Sequence, residues 1–306
     1  MTAIVSSLTT LPFTQLKRGR RFYVWYDLFY ALICGILLLA MRQAGFRGLT
    51  QAWEWSLLLF FPLVCHAEIL CSVYIHNATH HSFPRVLNRI VGELCALVVI
   101  SRFASWEIVH RRHHRFSDNI EKDPHPVEPS YVRYLMHTIV GVELHLQRIF
   151  FELHGDTPKN RRYERRRAYL SYATSVLLIL TWYKFLGAPA FVLLFFPAWI
   201  IGILHLVHFN WCTHDARSAA QVYRPVNLDH GLYRFGNLAW HGIYMHANHH
   251  LRPGAFNPRR LGKDTRSAGG HEGDVEEKAP LVGSIYCCRR QEERRARPGP
   301  TFKPQR

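Results

Sequence analysis

The run FYVWYDLFYALICGILLLAM, residues 22–41, holds a single charged residue, Asp27. A helix rises about 1.5 Å per residue, so a run of this length spans roughly 30 Å, the thickness of a bilayer's hydrocarbon core. In lipid every backbone polar group has to be paired internally, which leaves a transmembrane helix as the fitting form. A second such run covers residues 53–75 and contains His66 and Glu68, polar groups that are costly in lipid and belong against protein or a cavity. Both a tunnel and an interhelical polar pair suit them. A third run covers 169–186 and a fourth 190–210, separated by Leu-Gly-Ala-Pro, with Pro189 placed where a helix start tolerates its missing N–H.

These four runs predict an all-α integral membrane fold of four transmembrane helices in two hairpins. Lys17, Arg18, Arg20 and Arg21 precede the first span, and Arg161, Arg162, Arg165, Arg166 and Arg167 precede the third. The connector between the first two spans offers only Arg42 and Arg47. The positive-inside rule then predicts both termini and the long middle region on the cytoplasmic side. The first twenty residues do not read as a signal peptide, because the basic cluster follows a weakly apolar stretch instead of preceding it. Residues 86–104 are apolar but broken by Arg89, Glu93 and Arg102, and read as an interfacial or partly buried helix. Residues 130–153 read as another amphipathic helix. We expect a cytosolic segment over 1–21, one domain over 22–260, and a disordered polar tail over 261–306.

Composition supports this order. The net charge of +16 in 306 residues would suit a nucleic-acid-binding chain, but the apolar runs argue against that partner and make the charge a topology signal. Seven cysteines without a CxxC pair do not form a disulfide scaffold. Cys287-Cys288 is a possible lipidation site in the tail.

The chain also carries 20 histidines. Three clusters stand out: His76-Asn-Ala-Thr-His80-His81 after the second span, His110-Arg-Arg-His113-His114 in the middle region, and His246-Ala-Asn-His249-His250 after the fourth span. Asn210-Trp-Cys-Thr-His214 is a weaker pair. On a helix, positions i, i+3 and i+4 share one face, so each group aims two or three imidazoles at one point. Neutral imidazole suits iron, zinc, copper or nickel. Nine or ten convergent histidines are too many for one ion and enough for two. His205, His208 and His241 read as packing residues or neighbours of the site, and His137, His145 and His154 as surface histidines.

These boxes resemble those of the membrane fatty acid desaturase/hydroxylase superfamily. The segment HRRHHRFSDNIEKDPHP, with its Asp123-Pro124-His125, is especially similar to the second box of acyl-CoA desaturases. The resemblance covers roughly residues 22–260. It implies a cytosolic helical cap holding a histidine-rich di-iron site. By position it implies ligation by His76, His80, His110, His113, His114, His214, His246, His249 and His250, with Asn210 binding through a water. His81 is then spare, adjacent to the metal. Asp118, Asp123, Asp215 and His241 are candidates to orient the imidazoles, as His81 is, although helix caps suit the aspartates equally. The first box has the shorter HxxxH spacing of plant-type and bacterial acyl-lipid desaturases, and Met245 and Ala247 depart from the acyl-CoA pattern. There is no HPGG haem motif of a fused cytochrome b5 domain.

A saturated C–H bond is too strong for acid–base side chains, so the hard chemistry falls to the metal and O₂. The expected cofactors are two Fe ions, with O₂ as co-substrate and an external reductant of ferredoxin, cytochrome b5 or rubredoxin type. The expected substrate is a fatty acyl chain, as acyl-lipid, acyl-CoA or free acid, reached from the bilayer. Arg111, Arg112 and Arg115 suit an anionic head group, an acidic electron donor or anionic lipid. A hydroxylase or oxidative decarboxylase of fatty acids or alkanes on the same scaffold is the alternative. A non-enzymatic membrane metal-binding protein is the remaining reading.

Overall fold

The computed structural model describes residues 19–117, 122–125, 128, 130–217 and 222–262. The expectations for Asp118, for the segment before Gly19 and for the tail from Lys263, with Cys287 and Cys288, lie outside the described residues. The described chain is helical apart from one two-stranded ribbon. It divides into two compact units: one of residues up to Arg111, Val142–Leu206 and Pro253–Phe256, the other of Arg112–Gly141, Val207–Arg252 and residues from Asn257 onward.

In the first unit, α1 (Phe22–Gln43) lies against α6 (Pro158–Leu186). Trp25, Phe29, Leu32, Ile36 and Leu39 are exposed along α1, as lipid-facing residues would be. Its buried charge, Asp27, is accounted for by partners. Asp27 accepts hydrogen bonds from Arg102 at 2.6 Å and from the Ser171 hydroxyl at 2.8 Å. One turn before Ser171, Arg167 is buried between Glu164 and Glu143. Burial raises the Glu164 carboxyl and the Arg167 guanidinium opposes it.

A single turn of 3₁₀ helix (Trp55–Phe60) leads into α2 (Phe61–Thr79). Next come α3 (Arg85–Val98) and α4 (Phe103–Phe116), where one helix over 86–104 was expected. The break has a physical cause. Ile100 takes a left-handed φ of 50°, and the Ser101 N–H closes back on the Ala96 carbonyl at 2.9 Å. Trp182 and Trp199 donate to the carbonyls of Leu97 and Val99, each at 2.8 Å. Arg102 meanwhile turns to Asp27. On α3, Val86, Leu87, Ile90 and Leu94 stay exposed while Cys95 and Ala96 are buried. The amphipathic helix expected over 130–153 is α5 (Tyr131–His154).

Gly187 alone separates α6 from α7 (Ala188–Thr213). Thr50 and Leu49 donate to the carbonyls of Leu186 and Phe185 at 3.0 and 2.9 Å. A Cβ on Gly187 would lie 2.0 Å from the Thr50 carbonyl oxygen, and one on Gly48 2.6 Å from the Gly187 Cα. Backbone meets backbone here, so only glycine fits.

Phe22–Gln43, Trp55–Thr79 and Ala188–Thr213 are long and apolar enough to cross a membrane. The run expected at 169–186 is the C-terminal part of α6. Ser171, Thr174, Ser175, Thr181 and Lys184 dilute its apolar character, and α6 does not join the other three among the described residues.

In the second unit, His214–Arg217 (β1) pairs antiparallel with Val222–Pro225 (β2), with His214 opposite Pro225. This short ribbon is the one departure from helix among the described residues. After it come α8 (Gly231–Ala239), α9 (His246–Leu251) and a 3₁₀ turn, Pro258–Leu261. Two buried asparagines brace these short pieces. Asn237 donates to the Leu228 carbonyl and accepts from the Tyr244 N–H, both at 2.8 Å. Asn248 donates to the carbonyls of Pro258 and Gly262 at 3.1 and 3.0 Å.

Candidate metal centre

In the first unit, α2 and α4 bring three imidazoles together. His76 sits in the last turn of α2 and His80 is its cap residue, the i, i+4 pair read from the spacing. The Nε2 atoms of His80 and His110 lie 2.8 Å apart, and the ring centres of His76 and His110 4.6 Å apart. Trp106, one turn before His110, stacks on its ring at 5.6 Å.

His81 does not join them. It holds φ 58° and forms the left-handed close of α2, where its N–H and that of Ser82 reach back to the carbonyls of Ala78 and Asn77 at 3.1 and 3.0 Å. Its side chain points to Arg111, whose guanidinium donates to His81 Nε2 at 2.8 Å. Burial first, and then this cation, lowers the pKa of the His81 ring.

In the second unit, His113, His214, His246 and His250 offer four nitrogens all within 4.8 Å of one another. The Nε2 atoms of His214 and His246 are 2.9 Å apart, those of His246 and His250 3.2 Å, and those of His113 and His250 3.2 Å. His114 and His249 bring their Nε2 atoms to 2.9 Å. Nitrogens each about 2.0–2.1 Å from one ion, at right angles, are about 3 Å apart, so these spacings fit ligands sharing an ion. His246, His249 and His250 owe their common direction to α9, which begins at His246.

His113 is held from behind. Its Nδ1 lies 2.8 Å from Asp123 Oδ1, and the same oxygen accepts the His125 N–H at 2.9 Å. The carboxylate fixes the proton on Nδ1 and leaves Nε2 facing the cluster, the arrangement typical of metal-binding histidine.

Some expectations are not met. His214 is the first residue of β1, so Asn210 and His214 are not an i, i+4 helical pair. Asn210 is buried near the end of α7. His241, at φ 52°, closes α8 and stands outside the grouped nitrogens. Asp215 pairs with Arg224 through the ribbon backbone, and its side chain lies outside the described residues. Two residues gain weight. His125 stacks on His113 at 3.8 Å and forms a possible metal-holding group with it and Asp123; the Asp-Pro-His run was the signal. Asn248, the spacer within the third box, is a clamp with no exposed surface. His208 packs beside Tyr131 and Trp211, as a packing residue would. Burial pushes the Tyr131 hydroxyl up to about 12.

Membrane-length helices and buried histidine groups that could hold metal ions define a class: integral membrane proteins with a candidate metal centre. The family model for fatty acid desaturases matches residues 53–259, and the chain belongs to that family of membrane oxidoreductases. It is 24% identical over 257 residues to an sn-1 oleoyl-lipid 12-desaturase of Picosynechococcus sp., covering 74% of each chain. It is also 24% identical over 243 residues to an endoplasmic reticulum omega-3 fatty acid desaturase of Nicotiana tabacum, covering 64% of this chain and 61% of that one. No solved structure matches it significantly.

Proposed function

We propose that the chain is an O₂-dependent di-iron desaturase of fatty acyl chains, fed by an external electron donor. The histidine quartet backed by Asp123 carries this reading. In it, His113, His214, His246 and His250 hold one ion, and His76, His80 and His110 supply ligands to the other. His114 and His249 complete nine histidines, and Asn210 contributes through a water. Two ferrous ions would supply the O₂ chemistry that removes hydrogen from an unactivated C–H bond, which no side chain supplies. The protein's own part is to hold neutral imidazoles in place and keep bulk water from the buried nitrogens. Asp123 keeps His113 in one tautomer throughout.

The fold reading goes with it. α6 provides a fourth span over 169–186, the two helical hairpins place the boxes on the cytoplasmic side, and a helical cap holds the metals. The acyl chain comes from the bilayer. Two desaturases that share the family support an acyl substrate, and the basic segments support the topology. Metal analysis of the purified full chain tests the centre. We expect about two irons per chain; zinc at one per chain would contradict it.

A further inference from the structure

The arginine beside the second box reads from sequence as a surface cation for a head group, an electron donor or anionic lipid. Its contacts within the first unit point elsewhere. The Arg111 guanidinium donates to the Thr79 carbonyl at 3.0 Å and to His81 Nε2 at 2.8 Å, and pairs with Glu107 at 3.1 Å. Glu107 is buried and also faces Arg89 at 3.8 Å, which in turn pairs with Glu93. Glu93 accepts from Tyr26 at 2.6 Å and from Tyr30. Charged and polar side chains thus run without a break from α1, through α3 and α4, to the end of α2.

The accounting at that end is specific. A helix leaves its last carbonyls without partners. The cap turn returns the Ser82 and His81 N–H groups to the carbonyls of Asn77 and Ala78. The carbonyl of Thr79, next along the chain, receives Arg111. A cation at a helix C-terminus is also favoured by the helix dipole. Both ends of this contact adjoin proposed ligands: His80 lies between Thr79 and His81, and His110 precedes Arg111.

We infer that Arg111 is a positioning residue for the metal centre, fixing the end of α2 so that His80 meets His110. All three acceptors converge on one terminal nitrogen, Nη2 of Arg111. Carbonyl, imidazole and carboxylate together hold the guanidinium, and the guanidinium holds the cap turn at left-handed His81. This inference rests on the di-iron reading only for its consequence at the metal; the clamp on α2 stands apart from it.

Two measurements on the full chain in nanodiscs separate the cases. The first is hydrogen exchange of the metal-free protein. Arg111→Ala should speed exchange of the His81 and Ser82 amides at least tenfold, with α1 and α6 unchanged. Wild-type protection there would overturn the clamp. The second is titration with Co(II), followed by its visible absorption. Arg111→Ala should weaken one of two ions about 10–100-fold, the range for outer partners of metal-ligating histidines, and shift its band. Arg111→Lys and Glu107→Gln should fall between, and they serve if the alanine variant does not fold. Equal Co(II) affinity and spectra in all variants would overturn the positioning role. A wild-type chain that binds no Co(II), yet shows the exchange change, would sink the metal-centre reading and the positioning role with it while leaving the clamp intact.

Discussion

Asp123 Oδ1 sits 2.8 Å from Nδ1 of fully buried His113, while Nε2 of the same ring faces His250 at 3.2 Å. One side of the imidazole is fixed so that the other can serve a ligand. Replacing the carboxylate leaves the ring in place but frees its tautomer. Asp123→Asn should therefore lower iron affinity about 10–100-fold, measured by metal competition on the purified protein. Unchanged affinity would mean Asp123 does no more than cap a turn.

Asp27 is fully buried and pairs with Arg102 at 2.6 Å, the side chain of which is 15% exposed. Removing one partner of a buried pair leaves an uncompensated charge, at a cost of about 3–5 kcal/mol. Thermal unfolding in detergent should show Asp27→Leu as strongly destabilised. The double variant with Arg102→Met should recover much of the loss. A double variant as unstable as the sum of the singles would contradict this pairing.

Glu68 differs from Asp27. It lies in the second span with 1% of its surface exposed, beside Gly202, and among the described residues neither carboxyl oxygen has a hydrogen-bond partner. The interhelical polar pair that the sequence allowed is absent for this residue among the described residues. An unmet buried polar group costs about 1–3 kcal/mol, so Glu68→Met should raise the melting temperature. A fall would show that the carboxyl has a stabilising contact.

Gly187→Ala should be among the worst single changes in the first unit. The new Cβ would collide with the Thr50 carbonyl oxygen, and φ is 81°. Strain of this kind costs about 1–3 kcal/mol before the clash is counted. The expected readout is lost expression or a melting temperature several degrees lower; wild-type stability would refute the close contact.

Spacing made several of the grouped imidazoles legible. His246, His249 and His250 lie on one helix, and His76 with His80 spans the last turn of another and its cap, so helical geometry aims each group together. What spacing could not carry was the end of each helix. His81 and His241 read in the sequence as neighbours of the ligands but serve as left-handed closes, because helix termination depends on the backbone, not on the chemistry of the side chain. His214 reaches the quartet from a strand, where a helical pair with Asn210 was expected. The break of 86–104 was hidden for a similar reason: its cause, the pull of Asp27 on Arg102 and of two tryptophans on nearby carbonyls, lies in partners distant in sequence. Apolar runs located three spans outright, whereas α6 mixes polar groups into its buried face and weakens the same signal.

Lipid mass spectrometry tests the central claim most directly. Cells expressing the full chain with a compatible reductant system are compared with cells expressing His113→Ala. We predict acyl chains lighter by two hydrogens with the wild type and none with the variant. Identical lipids from both, or chains that gain one oxygen instead, would contradict a desaturase.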